Sequence, residues 1–183
     1  MNHINLDMDG VLADFEKNFL DYVGLPTSYF ITSEQRWLAL KESMERDFFN
    51  LYLHLPLKLD AKYLVSELDK LTKNTDITVG VLTGIPKGNI IPLAESHKKI
   101  YVDYHFPTLR NRFKIGPYSE DKWKHCSNKD QILIDDSTLN VHDWKRAGGI
   151  AIAHDNADKT LAIVEHYITH SKDAFMLDKM CKD

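Results

Sequence analysis

The sequence predicts an α/β fold in which a mainly parallel sheet is flanked by helices. Three observations carry this expectation. Short apolar runs alternate with amphipathic stretches, as in chains whose strands are joined by helical crossovers. One run, Gln131-Ile132-Leu133-Ile134, has no polar alternation, as expected of a parallel strand covered on both faces. Residues 15–75 break the alternation once, being helical and irregular with no clear strand. The expected architecture is a Rossmann-like core of residues 1–14 and 76–183, with a small helical cap of residues 15–75 inserted after the first strand.

At 183 residues and 21.2 kDa the chain can bury one sizeable core with a small insertion. Its net charge of −4 gives no general basic surface for duplex nucleic acid. Cys126 and Cys181 lie far apart in no metal-type or redox-type spacing, which argues against a disulfide framework. Asp7 and Asp9 interrupt any apolar leader, and no apolar run reaches the ~20 residues of a membrane helix. A cytoplasmic protein is expected, without membrane contact and with oligomerisation left open.

The opening apolar run ends at Asp7-Met8-Asp9-Gly10, two carboxylates one residue apart and then a glycine that permits a sharp turn. From Leu12 to Val23, apolar residues recur at three- and four-residue steps, predicting a helix that Gly24-Leu25-Pro26-Thr27 ends. Thr32 to Lys41 reads as a second helix, capped by Thr32 or Ser33. Residues 46–59 are irregular and rich in large apolar groups, Phe48, Phe49, Leu51 and Tyr52 among them. Plain core and a lid over a pocket both fit that stretch. Asp60 to Lys73 is amphipathic, and Asp76 to Gly84 is a β-branched strand ending in Thr83-Gly84. A helix over 88–104 is interrupted by Pro92, and a short strand near 112–115 follows. Ser119 is the expected N-cap of a helix starting at Glu120. The strand at 131–134 runs straight into Asp135-Asp136. Helix 139–147 stops at Gly148-Gly149, 150–153 is a last buried strand, and 157–171 a closing helix.

In such sheets functional groups gather at the carboxyl ends of the strands. Asp7 and Asp9, Thr83-Gly84 and Asp135-Asp136 all stand at predicted strand ends, and Lys122 opens the helix before the last of these. Each alone has an ordinary explanation: a solvated turn, a capping hydroxyl, a solvated lysine, an N-cap pair. Together, in this order, they suit phosphoryl transfer through an aspartyl phosphate. One carboxylate attacks phosphorus while a second acid protonates the leaving oxygen and later activates water. Attacking group and phosphate are both anionic, so a divalent cation is needed, and Mg²⁺ matches hard oxygen ligands. A lysine, a hydroxyl and backbone N–H groups then hold the transferred oxygens.

The ordered set Asp7-x-Asp9-Gly10-Val11, Thr83-Gly84, Lys122 and Asp135-Asp136 resembles the haloacid dehalogenase superfamily of phosphatases. More closely, the chain resembles the 5′(3′)-deoxyribonucleotidase family and its phage-type relatives. That likeness rests on Asp7 to Phe15, Phe48-Phe49 followed by Leu55-Pro56, Ser119-Glu120-Asp121-Lys122, and Leu133-Ile134-Asp135-Asp136. The resemblance implies that Asp7 is the nucleophile and a metal ligand. It implies that Asp9 is the general acid and base, its backbone carbonyl also touching Mg²⁺. Thr83 and Lys122 would bind phosphoryl oxygens, and Asp135 and Asp136 would complete the metal site. The family often carries a hydroxyl residue where this chain has Gly84, so the Gly84 backbone N–H is the expected donor there. Lys122 is chosen over Lys124 because Ser-x-Asp-Lys matches the family's Thr-x-Asp-Lys pattern. Base stacking would fall to the cap aromatics Phe15, Trp37, Phe48 and Phe49. The implied substrate is a small nucleotide, the 5′-phosphate of a (deoxy)ribonucleoside monophosphate. Nucleic-acid ends or another small phosphomonoester form the rival of the same chemistry, and a non-catalytic nucleotide-binding module the rival of another class.

Overall fold

Five strands form one parallel sheet in the order β3-β2-β1-β4-β5. They are β1 (His3–Leu6), β2 (Thr78–Thr83), β3 (Phe113–Ile115), β4 (Ile132–Asp135) and β5 (Ile150–Ala153). The computed structural model describes residues 3–47, 50–116 and 118–180. Helices α1 (Phe15–Val23), α2 (Ser33–Asp47) and α3 (Ala61–Thr72) lie between β1 and β2, and α4 (Ala94–His105) lies between β2 and β3. Helix α5 (Thr138–Arg146) joins β4 to β5, and α6 (Ala157–Met180) follows β5. No helix among the described residues is long and apolar enough to cross a membrane.

The strands form because their side chains serve two apolar layers at once. Ile4, Leu6, Val79, Val81, Ile132, Ile134 and Ile152 share the main core with the buried stripes of α3 and α6. Leu82, Leu133 and Ala151 point the other way, onto Val141 and Trp144 of α5. This two-sided burial explains the apolar run Ile132-Leu133-Ile134 of β4, all of it buried. Fully burying one such aliphatic side chain contributes about 1.5–3 kcal/mol.

The chain enters and leaves the segment between β1 and α3 along two adjacent paths. Leu12 O accepts from Lys58 N at 3.0 Å, and Asp14 N donates to Pro56 O at 2.8 Å. The predicted helix from Leu12 therefore starts only at Phe15, after a turn in which Leu12 N and Ala13 N both donate to Met8 O. Asp14 caps α1 by accepting from Lys17 N at 3.1 Å, and Gly24, at φ +79°, ends it. Phe15 of α1 meets Trp37 of α2 with ring centroids 5.6 Å apart, and Phe19 of α1 meets Phe30, in the connection between the two helices, at 5.7 Å. Helix α3, grouped with the cap in the sequence reading, packs against α6 and β2 and lies in the helical layer of the sheet.

Other boundaries differ from expectation for local reasons. Helix α4 begins at Ala94, not 88, because Pro92 has no N–H to donate and Leu93 before the helix adopts φ +57°. Ser119 does not cap an α-helix. Residues 119–125 form a 3₁₀ segment, and the Ser119 hydroxyl accepts from Asn140 Nδ2 instead, at 3.1 Å. Helix α5 is capped by Ser137, so neither Asp135 nor Asp136 is taken up as its N-cap.

Candidate active site

Asp7 follows β1 directly, and its N–H donates to Ile134 O at 2.9 Å, extending the pairing with β4. Its Oδ1 accepts from Met8 N at 2.7 Å, and its Oδ2 lies 2.6 Å from Lys122 Nζ. Lys122 is only 1% exposed and also reaches Asp135 Oδ2 at 2.7 Å. Lys124 is on the surface, paired with Asp121 at 2.8 Å. Of the two lysines the sequence offered, Lys122 enters the site.

Asp135 ends β4 and is fully buried. Its Oδ1 accepts from Ser137 N at 2.9 Å and from Asn140 Nδ2 at 3.1 Å, which fixes the carboxylate plane. Beside it stands Asp136, and one oxygen each from Asp7, Asp135 and Asp136 lies within 4.8 Å of the others. Burial, the Asp7 charge and the Asp135 charge push Asp136 up to about 7. Burial and then Asp7 push Asp135 up to about 6, against the pull of Lys122. Burial works against the charge on Lys122, but Asp7 and Asp135 outweigh it and hold the ammonium above its ordinary range. Three crowded carboxylates facing one lysine leave negative charge uncompensated. Such a set of hard oxygen donors fits Mg²⁺.

Asp9 takes a different partner. Its Oδ2 lies 2.5 Å from Lys98 Nζ, while its Oδ1 is buried and has no partner among the described residues. Burial raises its pKa above the ordinary carboxylate value, and Lys98 opposes that rise. The Asp9 carboxylate is thus not one of the three clustered acids. Its expected contribution to a metal is the backbone carbonyl.

Thr83 is fully buried at the end of β2, and its hydroxyl accepts from Lys98 Nζ at 2.8 Å. At Gly84 a β-carbon would lie 2.5 Å from Ser119 N, so only glycine lets this loop approach the segment that carries Lys122. The strand-end groups of β1, β2 and β4 are thereby brought together.

They open into a cavity of about 470 Å³. Asp7, Asp9, Lys122 and Asp136 line it from the sheet, and Phe15, Arg36, Trp37 and Tyr52 from the inserted segment. Two of the four predicted cap aromatics, Phe15 and Trp37, therefore face this cavity. Phe48 and Phe49 lie outside the described residues.

Sequence reading missed Lys98, Asn140 and Arg36, and placed Tyr52 only within a stretch that core or a lid would fit. Lys98 carried a detectable signal. It lies on the same helical stripe as Ala94, Tyr101 and Val102, all buried, and a lysine on such a stripe needs a buried acceptor. Asn140 carried none, because its role depends on Ser119 and Asp135 converging from elsewhere.

No protein-family model and no curated protein matches this chain. Solved structures do. A predicted phosphatase from Clostridium acetobutylicum superposes with a TM-score of 0.54 at 12% identity, over 82% of this chain and 82% of that one. A haloacid dehalogenase-like hydrolase from Streptococcus pneumoniae gives a TM-score of 0.55 at 14% identity, over 82% of this chain and 83% of that one. At these identities the likeness is one of fold: the parallel α/β sheet described above is shared with both.

Proposed function

We propose that this chain is a Mg²⁺-dependent phosphomonoesterase of the haloacid dehalogenase type, acting through an aspartyl phosphate on the 5′-phosphate of (deoxy)ribonucleoside monophosphates. The observation that supports it best is the pairing of two differently held carboxylates at one strand end. Asp7 is gripped by Lys122 beside Asp135 and Asp136, whereas Asp9 is gripped by Lys98 and keeps one oxygen unpartnered.

In this reading a carboxylate oxygen of Asp7 attacks phosphorus and the bond to the leaving oxygen breaks. Asp9 gives its proton to that oxygen, and the alcohol leaves. Asp9, now ionised, takes a proton from water as the water attacks the phosphorus of the aspartyl phosphate. Asp7 is regenerated and inorganic phosphate departs. Lys122 and Thr83, with the Gly84 N–H, hold the transferred oxygens. Asp7, Asp135 and Asp136, with the Asp9 carbonyl, would hold Mg²⁺, which when bound offsets the charge of anion meeting anion.

The cap in this proposal is the segment from about residue 15 to 57, between the paired paths of the chain. Phe15 and Trp37 offer a stacking face for a base, worth about 1–3 kcal/mol. A second reading, a phosphomonoester whose leaving group carries its own anion, is favoured by Arg36 and Lys58, half-buried cations lining the same cavity.

The test is a hydrolysis panel of nucleoside monophosphates, nucleoside bisphosphates and glycerol phosphate, with Mg²⁺ and with EDTA. Nucleoside monophosphates are expected to release phosphate fastest, and both EDTA and Asp7→Asn to abolish release. Equal turnover by wild type and Asp7→Asn would refute the aspartyl-phosphate reading, and a preference for bisphosphates would favour the second.

A further inference from the structure

We propose that Lys98 is a positioning residue, which holds the Asp9 carboxylate in a fixed place against the end of β2 for its proton transfer with the leaving group; this rests on the phosphatase reading above. Lys98 stands on α4, outside the motifs at the strand ends, and is completely buried. Its ammonium has three N–H groups and three oxygen partners: Asp9 Oδ2 at 2.5 Å, Thr83 Oγ1 at 2.8 Å and Gly84 O at 2.8 Å. The ring of Tyr52 covers it as well, with its centroid 4.6 Å from Nζ.

A buried ammonium carries a desolvation penalty of several kcal/mol, and a long side chain loses rotamer freedom when fixed. An apolar residue at this place would pack with neither penalty, as Ala94 and Val102 do on the same stripe. What the lysine adds is a connection. It joins the turn after β1, the end of β2 and the segment that carries Tyr52.

Two features separate this role from substrate binding. All three donors are already used, so none remains for a phosphoryl oxygen. Unlike Lys122, Lys98 does not line the cavity. With Oδ2 of Asp9 held by Lys98, rotation of the carboxylate is stopped. In the transfer step the proton moves from Asp9 to the leaving oxygen as the P–O bond breaks, and Lys98 keeps its three protons throughout.

The test compares kcat/KM of wild type and Lys98→Met on two esters, a nucleoside monophosphate, whose alkoxide must be protonated to leave, and p-nitrophenyl phosphate, whose phenoxide leaves readily. Lys98→Met is expected to lose about 100-fold on the nucleotide, within the range that general acid catalysis supplies. The loss should fall in kcat with KM within about twofold, and be about tenfold or less on the aryl ester. In an Asp9→Asn background, assayed on the nucleotide at high enzyme concentration, adding Lys98→Met should cost no more than about twofold further. Equal losses on both esters, a rise confined to KM, or full multiplicative loss beside Asp9→Asn would each overturn the proposal. If Lys98→Met does not fold, Lys98→Gln, which keeps a donor toward Thr83 and Gly84, takes its place in the same comparison. A wild type that hydrolyses neither ester refutes the phosphatase reading itself and the positioning role with it. An active wild type with insensitive variants refutes the positioning role alone.

Discussion

The carboxylate of Asp136 occupies the space that a side chain at position 10 would need: a β-carbon on Gly10 would lie 2.1 Å from its Oδ2. Gly10 also has φ +87°, a backbone region that costs other residues roughly 1–2 kcal/mol. Gly10→Ala is therefore expected to displace Asp136 from Asp7 and Asp135. The Mg²⁺ concentration for half-maximal phosphatase activity should rise at least about tenfold, a lost ligand being worth roughly 1.4 kcal/mol or more. A Mg²⁺ titration of the variant that overlays wild type would contradict this.

Lys122 and Lys124 should separate cleanly on mutation. Lys122→Met leaves Asp7 and Asp135 buried without their shared cation, and breaking a buried pair typically costs about 3–5 kcal/mol. Denaturant unfolding in the absence of Mg²⁺ should show most of that loss. Lys124→Met removes only an exposed pair with Asp121 and should stay within about 0.5 kcal/mol of wild type. Comparable losses in the two variants would argue against the buried bridge.

Metal removal should interact with pH in a definite direction. In the metal-free protein Asp136 and Asp135 are raised to about 7 and about 6 from an ordinary 3.8. The folded state therefore keeps protons that the unfolded chain has already lost. Their contribution to stability is complete below pH 4 and is lost as pH rises through 6 and 7. Thermal melts in EDTA should show Asp136→Asn gaining stability relative to wild type as pH rises from 5 to 8. Added Mg²⁺ should raise the melting temperature of wild type more at pH 8 than at pH 5, because ligating carboxylates must be ionised. A Mg²⁺ shift of the same size at both values would count against these ligands.

Trp37 offers a test of the cap. Trp37→Ala should raise KM for a nucleoside monophosphate about tenfold, as loss of one stacking face implies. Hydrolysis of glycerol phosphate, which has no ring to stack, should change less than twofold. Parallel losses on both substrates would show that Trp37 serves the packing against Phe15 and not the substrate.

Much of the fold and half of the site could be read from local pattern. The apolar run of β4 gives way to Asp135, its buried last residue, and then Asp136, because a strand covered on both faces admits an acid only at its end, where Lys122 and Asn140 reach it. Asp7, Thr83 and Asp135 were legible as polar groups at the carboxyl end of an apolar strand, Asp7 just past β1 and the other two closing β2 and β4. What escaped were groups whose role is set by distant partners. The apolar stripe around Lys98 marks it as a lysine in need of a buried acceptor, but its partners Asp9, Thr83 and Gly84 converge on it from other elements. A helix was expected from Glu120 with Ser119 as its cap, yet residues 119–125 form a 3₁₀ segment whose Ser119 lies against Gly84 and accepts from Asn140. The place of α3 was likewise a matter of packing: its amphipathic stripe suits a cap or a sheet equally well, and its neighbours are α6 and β2.

Strand β1 precedes the other four strands in the chain, yet gains its second neighbour only at β4. His3 bonds to Thr78, 75 residues onward, and Asn5 to Ile132, 127 residues onward, so both flanks of the central strand wait for distant parts of the chain. Loop closure over such spans precedes any contact that rewards it, which slows folding. A nascent chain that has reached β3 holds Asp7 and Asp9 but neither Lys122 nor Asp135-Asp136. In the reading proposed above, Asp7 therefore lacks its lysine and its acidic neighbours until the chain has been extended through β4.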